Sequence, residues 1–149
     1  MNIRAVRQND LQAILEFEKA RLEIEVEDVM ERELLSWKAP WRQEALEHYL
    51  NLGWSFGVWE DESENTLLGY VLAQPLLFFR GFTQTLWIEH LAANDKLIEN
   101  QLIETVYQWS RDKHLQQMIL PHGFSEHLKK WNPQEMSEGR TVVATSKMR

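Results

Sequence analysis

Residues 86–109 read LWIEHLAANDKLIENQLIETVYQW, and this stretch decides the fold. Its first part is a mostly apolar run typical of a strand. Residues 95–112 then carry an apolar stripe at helical spacing: Ile98, Leu102, Val106 and Trp109. Such junctions often bind a phosphate on the free amides of the helix N-terminus, usually with the help of glycine. This junction contains no glycine, so any cofactor would have to be held by other means.

The composition favours a globular protein and excludes several classes of function. The length of 149 residues suits a single domain, 1–149, and seven Trp and six Phe argue against disorder. The absence of Cys removes disulfides, thiolate nucleophiles and Cys-ligated zinc. A net charge of −7 argues against nucleic-acid binding. No apolar run approaches the ~20 residues of a membrane helix, and the N-terminus lacks a signal-peptide core, so we expect a cytoplasmic protein without a membrane partner.

The periodicity of the sequence predicts six strands. These span residues 3–7, 54–60, 66–79, 84–92, 116–120 and 140–148, with a polar turn at 61–65. Pro75 lacks an amide donor, so it should lie at an edge, a bulge or a break in its strand. The first helix is expected to follow an N-cap at Asn9 and to reach Leu22.

Further helices are predicted at residues 26–37, 42–52, 95–112 and 125–131, and Pro40 interrupts the second helical region. With the interrupted region 26–52 counted as one helical element, the order is β-α-α-β-β-β-α-β-α-β. A meander followed by a strand–helix–strand crossover predicts an α/β (α+β) fold. It would have a mixed, mostly antiparallel sheet of about six to seven strands with helices on both faces.

With this order in place, the chain resembles the GNAT superfamily of acyltransferases over nearly its whole length. The most specific piece is TLWIEHLAAN followed by the helix NQLIETVYQWSRDKHLQQMIL. It is similar to the motif of that family in which a strand of the type y-I-E-x-L-A-V precedes a phosphate loop and a helix opened by G-x-G-x-x-L. The resemblance implies transfer of an acetyl or other acyl group from acyl-CoA to an amine, supplied by a small molecule or a peptide.

The resemblance also implies where acetyl-CoA would bind. In the family the fourth strand splays from the fifth, and the pantetheine pairs with the backbone in that gap, here at His90, Leu91 and Ala92. The pyrophosphate would lie on the start of the following helix, which adds the last group of predicted cofactor-binding residues: Asn94, Lys96, Leu97, Ile98 and Glu99.

This chain departs from the family at the phosphate motif. With Leu102 on the motif's leucine, Leu97 and Glu99 replace two glycines, and Asn94 replaces the usual Gln or Arg. These side chains obstruct a phosphate. The Glu99 charge adds repulsion of about 3 kcal/mol at ~5 Å and an effective dielectric of ~20. Lys96 could compensate. Alternatively, Glu99 is simply an acidic residue in a first helical turn, where the helix dipole favours it.

Glu89 is the candidate general base, because it matches the glutamate that many family members carry on this strand. It is expected to share a sheet face with Trp87 and Leu91, while His90 faces the opposite way as a core histidine. The alternative is a structural Glu satisfied by an Arg or by water. Leu128 takes the slot of the tyrosine that protonates the leaving thiolate in the family.

Other polar candidates are weaker. His127 adjoins the tyrosine slot and is the candidate acid, and His122 lies near a position that the family uses around pantetheine. His122 could equally be an ordinary loop histidine. No acidic ligands stand at metal spacing around this pair, so no metal site is expected.

Trp37 and Trp41 flank Pro40 in the helix pair that borders the acceptor site in the family. They either line a substrate pocket or anchor two helices in the core. Two functions remain open: an acyl-CoA-dependent N-acyltransferase, or a catalytically inactive binding module with weak or no CoA binding. The exposed strands would also permit a homodimer.

Overall fold

The chain folds around one seven-stranded sheet. The structure is a computed structural model and describes residues 1–61, 63, 66–79, 81–136 and 139–146. Residues 62, 64 and 65 of the predicted turn, and residues 147 and 148 of the predicted last strand, lie outside the described residues. The strands are β1 (Asn2–Ala5), β2 (Phe56–Trp59), β3 (Leu67–Phe79), β4 (Phe82–Ala93), β5 (Gln117–Pro121), β6 (Gln134–Glu135) and β7 (Arg140–Ala144).

Five α-helices accompany the sheet in the described part of the chain. They are α1 (Leu11–Glu25), α2 (Val29–Lys38), α3 (Gln43–Leu52), α4 (Lys96–Asp112) and α5 (Ser125–Leu128). The N-cap predicted at Asn9 is wrong: Gln8–Asp10 forms a short 3-10 helix, and the Asp10 carboxylate accepts a hydrogen bond from the Arg7 amide. None of the described helices combines the length and the apolar character needed to span a membrane.

The predicted fold class is confirmed. The strand order is β1-β2-β3-β4-β5-β7-β6, and β4–β5 is the parallel pair in an otherwise antiparallel sheet. The short strand β6 was not predicted from the sequence. Pro75 lies in β3 beyond Val71, the last residue of β3 to pair with β2, so the edge position predicted for it is confirmed.

Two apolar cores lie on opposite faces of the sheet. On one face α4 buries its predicted stripe against β2–β5, with Ile98, Leu102 and Val106 at most 3% exposed. On the other face α1 and α3 cover β1–β3 through Ile14 and Leu46. Each face buries the apolar stripe of an amphipathic helix, which is the main stabilising term for helices of this length. Helix α2 has no buried residue and stands apart from both cores.

Strand β4 contains a bulge at Glu89. Ala73 of β3 is opposite Ile88, whereas Leu72 is opposite His90, so Glu89 is an extra residue on β4. A bulge shifts the alternation of side chains by one residue. The predicted alternation is therefore wrong: Leu91 packs in the α4 core, while Glu89 and His90 both point toward the α1–α3 face.

Gly69 brings β3 close to its neighbours. A Cβ at this position would lie 2.9 Å from the Ala92 carbonyl oxygen, 2.9 Å from Ile98 Cγ2 and 3.1 Å from the Ala93 Cα. Two of these atoms belong to the backbone of β4 and cannot move without disturbing the sheet. Only glycine therefore permits the close approach of β3 to β4 and α4 at the end of β4.

We predict that Gly69→Ala lowers the free energy of unfolding by about 1–3 kcal/mol, because the added methyl overpacks a junction made of backbone. Denaturant unfolding followed by circular dichroism measures the change. Thr83→Ala, at an exposed position of β4, is the control and should stay within about 0.5 kcal/mol of the wild type. An equal stability of Gly69→Ala and the control would contradict the close approach.

Candidate active site

The central feature of the site is the divergence of β4 from β5. The two strands pair from Thr85 and Gln117 to Trp87 and Ile119, and both then continue past the last pair. A buried hydrogen bond of 3.0 Å from Gln117 Nε2 to Thr85 Oγ1 holds the strands together where the pairing begins. Beyond Trp87 β4 makes no further pair with β5, as the predicted splay requires, and this unpaired stretch begins at Ile88, one residue before Glu89.

Glu89 lies on the bulge at the start of this divergence. Its Oε2 accepts hydrogen bonds from the Tyr49 hydroxyl at 3.1 Å and from Trp87 Nε1 at 3.0 Å. Burial, together with the charge of Glu89, raises the pKa of Tyr49 well above its ordinary value, so the phenol stays protonated and remains a donor. Two fixed donors thus hold one carboxylate oxygen in place, and the side chain is 30% exposed.

Arg140 reaches across the divergence from the first position of β7. Its Nη1 donates to the Ile88 carbonyl oxygen at 2.6 Å, and its guanidinium lies 4.1 Å from the centre of a Trp87 ring. Its Nη2 is 4.0 Å from Glu89 Oε2. The Arg140 guanidinium therefore binds the Ile88 carbonyl oxygen of β4, where the pairing with β5 ends, and lies close to the Glu89 carboxylate.

A cleft of about 270 Å³ opens beside Glu89, between α3 and β4. Arg42, His48 and Tyr49 contribute to its lining. His48 Nε2 lies 3.1 Å from Gln74 Oε1, which ties α3 to β3 at the edge of this cleft. A ligand in this cleft would contact a carboxylate, a phenol and a guanidinium.

The N-terminus of α4 is capped by an acid. The Asp95 carboxylate accepts a hydrogen bond of 2.9 Å from the Ile98 amide, one of the amides available to an anion at this helix start. Lys96 forms an ion pair of 3.0 Å with Glu99. The predicted compensating cation is therefore already paired within its own helical turn.

A cleft of about 470 Å³ lies between the first turn of α4 and the segment after β5. Lys96, Glu99, Glu126 and His127 are among its lining residues. Two carboxylates against one ammonium make this cleft unfavourable for a diphosphate. Among the described residues, no group of three or more His, Asp or Glu side chains could hold a metal ion.

Comparison with solved structures finds similar folds over nearly the whole chain. A GNAT family acetyltransferase from Brucella melitensis in complex with acetyl-CoA has a TM-score of 0.64 and 17% identity, covering 96% of this chain and 86% of that chain. The polyamine N-acetyltransferase of Drosophila melanogaster has a TM-score of 0.64 and 14% identity, covering 96% and 98%. A Mycobacterium tuberculosis protein in complex with CoA has a TM-score of 0.63 and 12% identity, covering 97% and 99%.

This chain has the GNAT fold. By sequence alone, no protein-family model and no curated protein matches it significantly. The structural similarity covers nearly the whole chain, so the predicted resemblance is confirmed at the level of the fold.

On the GNAT fold the predicted cofactor residues fall into two groups. Leu91 and Ala92 are buried on β4 beyond the divergence, and Ile98 is buried in the α4 core. Lys96 and Leu97 are exposed at the start of α4, and Leu97 is 61% exposed. The backbone N–H of Asn94 donates a hydrogen bond of 2.9 Å to the Leu68 carbonyl oxygen. Leu97 therefore points outward.

His122 and His127, two of the predicted histidines, do not line the cleft beside Glu89. His127 lines the cleft at α4, and its Nε2 is buried 3.6 Å from Glu104 Oε1. Burial, helped by the charge of Lys130, lowers the pKa of His127, so the ring is neutral at pH 7 and is a poor proton donor. His122 is 67% exposed, with its Nδ1 3.2 Å from Glu135 Oε2. Leu128, in the tyrosine slot, is fully buried in the core.

The two predicted substrate tryptophans differ in environment. Trp41 is 8% exposed and packs in the α1–α3 core, which matches the core-anchoring alternative. Trp37 is 68% exposed on α2. Both line one cleft of about 310 Å³ between α1 and the start of α3, so the helix pair does border a surface depression.

His90 belongs to a buried polar network that links α1 to β4. Its Nε2 lies 2.7 Å from Glu18 Oε2, which also accepts a hydrogen bond of 2.5 Å from the Tyr70 hydroxyl. Arg21 donates to the other oxygen of Glu18 at 3.2 Å. Glu18 was not predicted from the sequence, although an acidic residue on the apolar stripe of α1 is the pattern that a buried, paired carboxylate produces.

Charge and hydrogen bonding set the protonation states of this network. Burial alone would raise the pKa of Glu18, but the hydrogen bonds from His90 and Tyr70 and the charge of Arg21 outweigh it and hold that pKa below its ordinary value. Burial and the Glu18 charge raise the pKa of Tyr70 well above its ordinary value. Glu18 therefore stays an anion at neutral pH and Tyr70 stays a donor.

We predict that Glu18→Gln lowers the free energy of unfolding by about 1–3 kcal/mol at pH 7, since it removes a buried charged acceptor. The folded pKa of Glu18 is below the unfolded value of about 4.5, so the stability gained from this charge is present above pH 4.5. That stability is lost as the pH falls through the pKa of Glu18 in the folded protein. The difference in the free energy of unfolding between Glu18→Gln and the wild type should therefore become smaller in that pH range. Urea titrations at several pH values measure it.

Glu16→Gln, at an exposed position of the same helix, is the matched control and should differ from the wild type by less than about 0.5 kcal/mol. A Glu18→Gln gap that is constant from pH 7 to pH 3 would contradict a depressed pKa at Glu18.

Proposed function

We propose that this protein transfers an acyl group from an acyl-CoA thioester to the amine of a small molecule or a peptide. The observation that carries the proposal is the position of Glu89. Its carboxylate lies on the β4 bulge, at the start of the divergence from β5, and lines a cleft open to an acceptor. The GNAT fold of the chain supports this class of reaction by analogy.

In this proposal Glu89 accepts the proton of the attacking amine, directly or through a water. Tyr49 and Trp87 both donate to Oε2, so we assign the proton to Oε1. Tyr49 and Trp87 are positioning residues, because they fix the carboxylate without taking up the proton. A base held in place by two donors needs little reorganisation when the amine arrives.

The backbone of the bulge supplies the other element of the reaction. A bulge leaves peptide groups outside the regular ladder, and such an N–H at Glu89 or His90 can stabilise the negative charge that develops on a carbonyl oxygen. The amine nitrogen attacks the thioester carbonyl carbon of acyl-CoA, a C–N bond forms as the C–S bond breaks, and CoA leaves as a thiolate that takes a proton from solvent. Pantetheine would lie against the unpaired stretch of β4 at His90, Leu91 and Ala92, where the edge fits an extended amide chain.

The diphosphate of CoA fits the start of α4 less well. Asp95 occupies the amide that an anion would use, and Glu99 and Glu126 line the adjacent cleft. These residues favour a second candidate function, a GNAT-like binding module with weak or no CoA binding. The two functions differ in one measurable property, the affinity for acetyl-CoA.

The acceptor is an amine under the first function. Two neighbours of similar fold support this range of acceptors, since one is a polyamine N-acetyltransferase and another is the NatC complex bound to a Gag peptide. The cytoplasmic location and the homodimer remain predictions from the sequence.

For CoA binding, we predict that acetyl-CoA binds with a dissociation constant in the micromolar range, about −8 kcal/mol, in calorimetric titration. The double variant Asp95→Ser/Glu99→Gln keeps an N-cap oxygen and the side-chain size but removes two negative charges. It should bind acetyl-CoA at least about tenfold more tightly at low salt, because Coulomb repulsion of the diphosphate is relieved.

Glu60→Gln, an exposed substitution beyond the end of β2, controls for the change in net charge and should leave the affinity unchanged. If a folded wild-type sample gives no heat at millimolar acetyl-CoA, and the double variant gives none either, the acyltransferase proposal fails and the binding module remains.

For catalysis, we predict that Glu89→Gln lowers the turnover number about 10²–10⁴-fold while acetyl-CoA affinity is retained, because a general base contributes this much. Release of free thiol from acetyl-CoA in the presence of a panel of primary amines measures turnover. The loss should shrink as the pH rises and the free amine becomes abundant.

Tyr49→Phe is the companion variant. It removes one donor to Oε2 but leaves the carboxylate, so turnover should fall less than in Glu89→Gln and its pH profile should shift. Equal turnover of Glu89→Gln and wild type at every pH would remove Glu89 as the base.

A further inference from the structure

Helix α2 carries an apolar stripe that the core of the protein does not use. Met30, Leu34 and Trp37 recur at the spacing of one helix face and are 72%, 49% and 68% exposed. We call these three residues the α2 stripe. Helix α2 has ten residues and buries none of them, and a helix this short is marginal in water unless its apolar face is packed. The α2 stripe is therefore suited to a partner surface outside the chain.

Two opposite charges lie beside the α2 stripe. Glu31 is in the first turn of α2 and Lys38 is in the last, and their spacing of seven residues places both on the same flank of the stripe. Both side chains are exposed, and neither forms an ion pair with another residue in the described part of the chain. A partner that complements this flank needs a cation opposite Glu31 and an anion opposite Lys38. A second α2, running antiparallel, has this order of charges.

The charges select one register for two antiparallel copies of α2. In a pair centred between Leu34 and Trp37, each Leu34 packs on the Trp37 of the other copy. Glu31 of each copy then faces Lys38 of the other, and the two-fold axis makes this ion pair twice. A pair centred between Met30 and Leu34 would instead place Glu31 against Glu31, which is unfavourable. The α2 stripe is thus self-complementary in one arrangement.

The surrounding charge disfavours other occupants and the parallel arrangement. Residues 23–33 contain six carboxylates and one guanidinium, which repel an anionic membrane surface. Two parallel copies of α2 would bring these acidic segments together. In the antiparallel pair they lie at opposite ends of a helix about 15 Å long, which exceeds the Debye length of about 8 Å.

We propose that this protein forms a two-fold dimer in which the α2 stripes of two copies pack antiparallel. The face of one short helix buries less than the roughly 800 Å² per partner of a standard interface, so we expect a weak dimer with a dissociation constant of about 10–100 µM. The inference does not rest on the proposed function, because neither Glu89 nor acyl-CoA takes part in the contact.

Sedimentation equilibrium at protein concentrations of about 5–500 µM measures the dimer, since association follows mass action. The average mass of the wild type should rise from 17.8 kDa toward twice that mass. Leu34→Glu should weaken the dimer at least about tenfold, because it places a charge in the apolar contact. Circular dichroism checks that each variant is folded.

Leu77→Glu is the matched control, since Leu77 is 66% exposed at the β3–β4 hairpin, away from α2. Its dissociation constant should stay within about twofold of the wild-type value.

Mixing two charge variants tests the antiparallel register. Glu31→Lys alone sets lysines against each other at both contacts, and Lys38→Glu alone sets glutamates against each other. Each variant should therefore dimerise about three- to tenfold more weakly than the wild type at low salt. An equimolar mixture restores both opposite-charge contacts in the heterodimer and should associate about as well as the wild type.

Several outcomes would overturn the inference. A wild type that stays monomeric over the whole concentration range, or a Leu34→Glu dimer as strong as that of the wild type, excludes the α2 contact. A dimer lost in Leu77→Glu and kept in Leu34→Glu would move the interface to the hairpin. A monomeric wild type that floats with phosphatidylcholine vesicles, when Leu34→Glu does not, would assign the stripe to a membrane instead. A mixture no stronger than its separate components would overturn the register.

Discussion

The structure depends on one constraint: β4 must stay paired with β3 along its whole length while it leaves β5 half-way. The hydrogen bond between Gln117 and Thr85 fixes the parallel pair below the split, and the bulge at Glu89 accommodates the change of direction above it. A bulge increases the local twist of a strand, so it turns β4 away from β5 and keeps the ladder to β3. The same extra residue places Glu89 and His90 on one side of the sheet.

That side of β4 is held by two partly buried polar contacts with helices. Glu18 of α1 accepts from Tyr70 and lies in hydrogen-bond contact with His90, and Glu89 accepts from Tyr49 of α3. A buried carboxylate is costly unless its hydrogen bonds are made, so each contact strongly favours one arrangement of helix and strand. Helices α1 and α3 are therefore both tied to the strand that carries the candidate base.

The sequence predicted the fold because periodicity is local. The stripe of α4 and the alternation of the strands lie within short windows, and the strand and helix order followed from them. The bulge could not be predicted, since a shift of one residue depends on the partner strand. Tyr49 and Arg140 meet Glu89 from positions 40 and 51 residues away in the chain, which no local pattern encodes. The N-cap role of Asp95 could have been predicted from the sequence, because Asp immediately before an amphipathic helix is a favoured N-cap.

At the start of α4, the residues that stabilise the helix are unfavourable for binding of a diphosphate. An Asp cap contributes about 1 kcal/mol to the helix, whereas a second anion about 5 Å from a carboxylate at an effective dielectric of about 20 costs about 3 kcal/mol. Here the intrinsic stability of α4 is gained at the expense of diphosphate affinity. Under the proposed function, CoA would therefore draw its affinity mainly from the pantetheine arm along β4. In that proposal the unpaired stretch of β4 beyond Trp87, and not the start of α4, supplies most of the affinity for CoA.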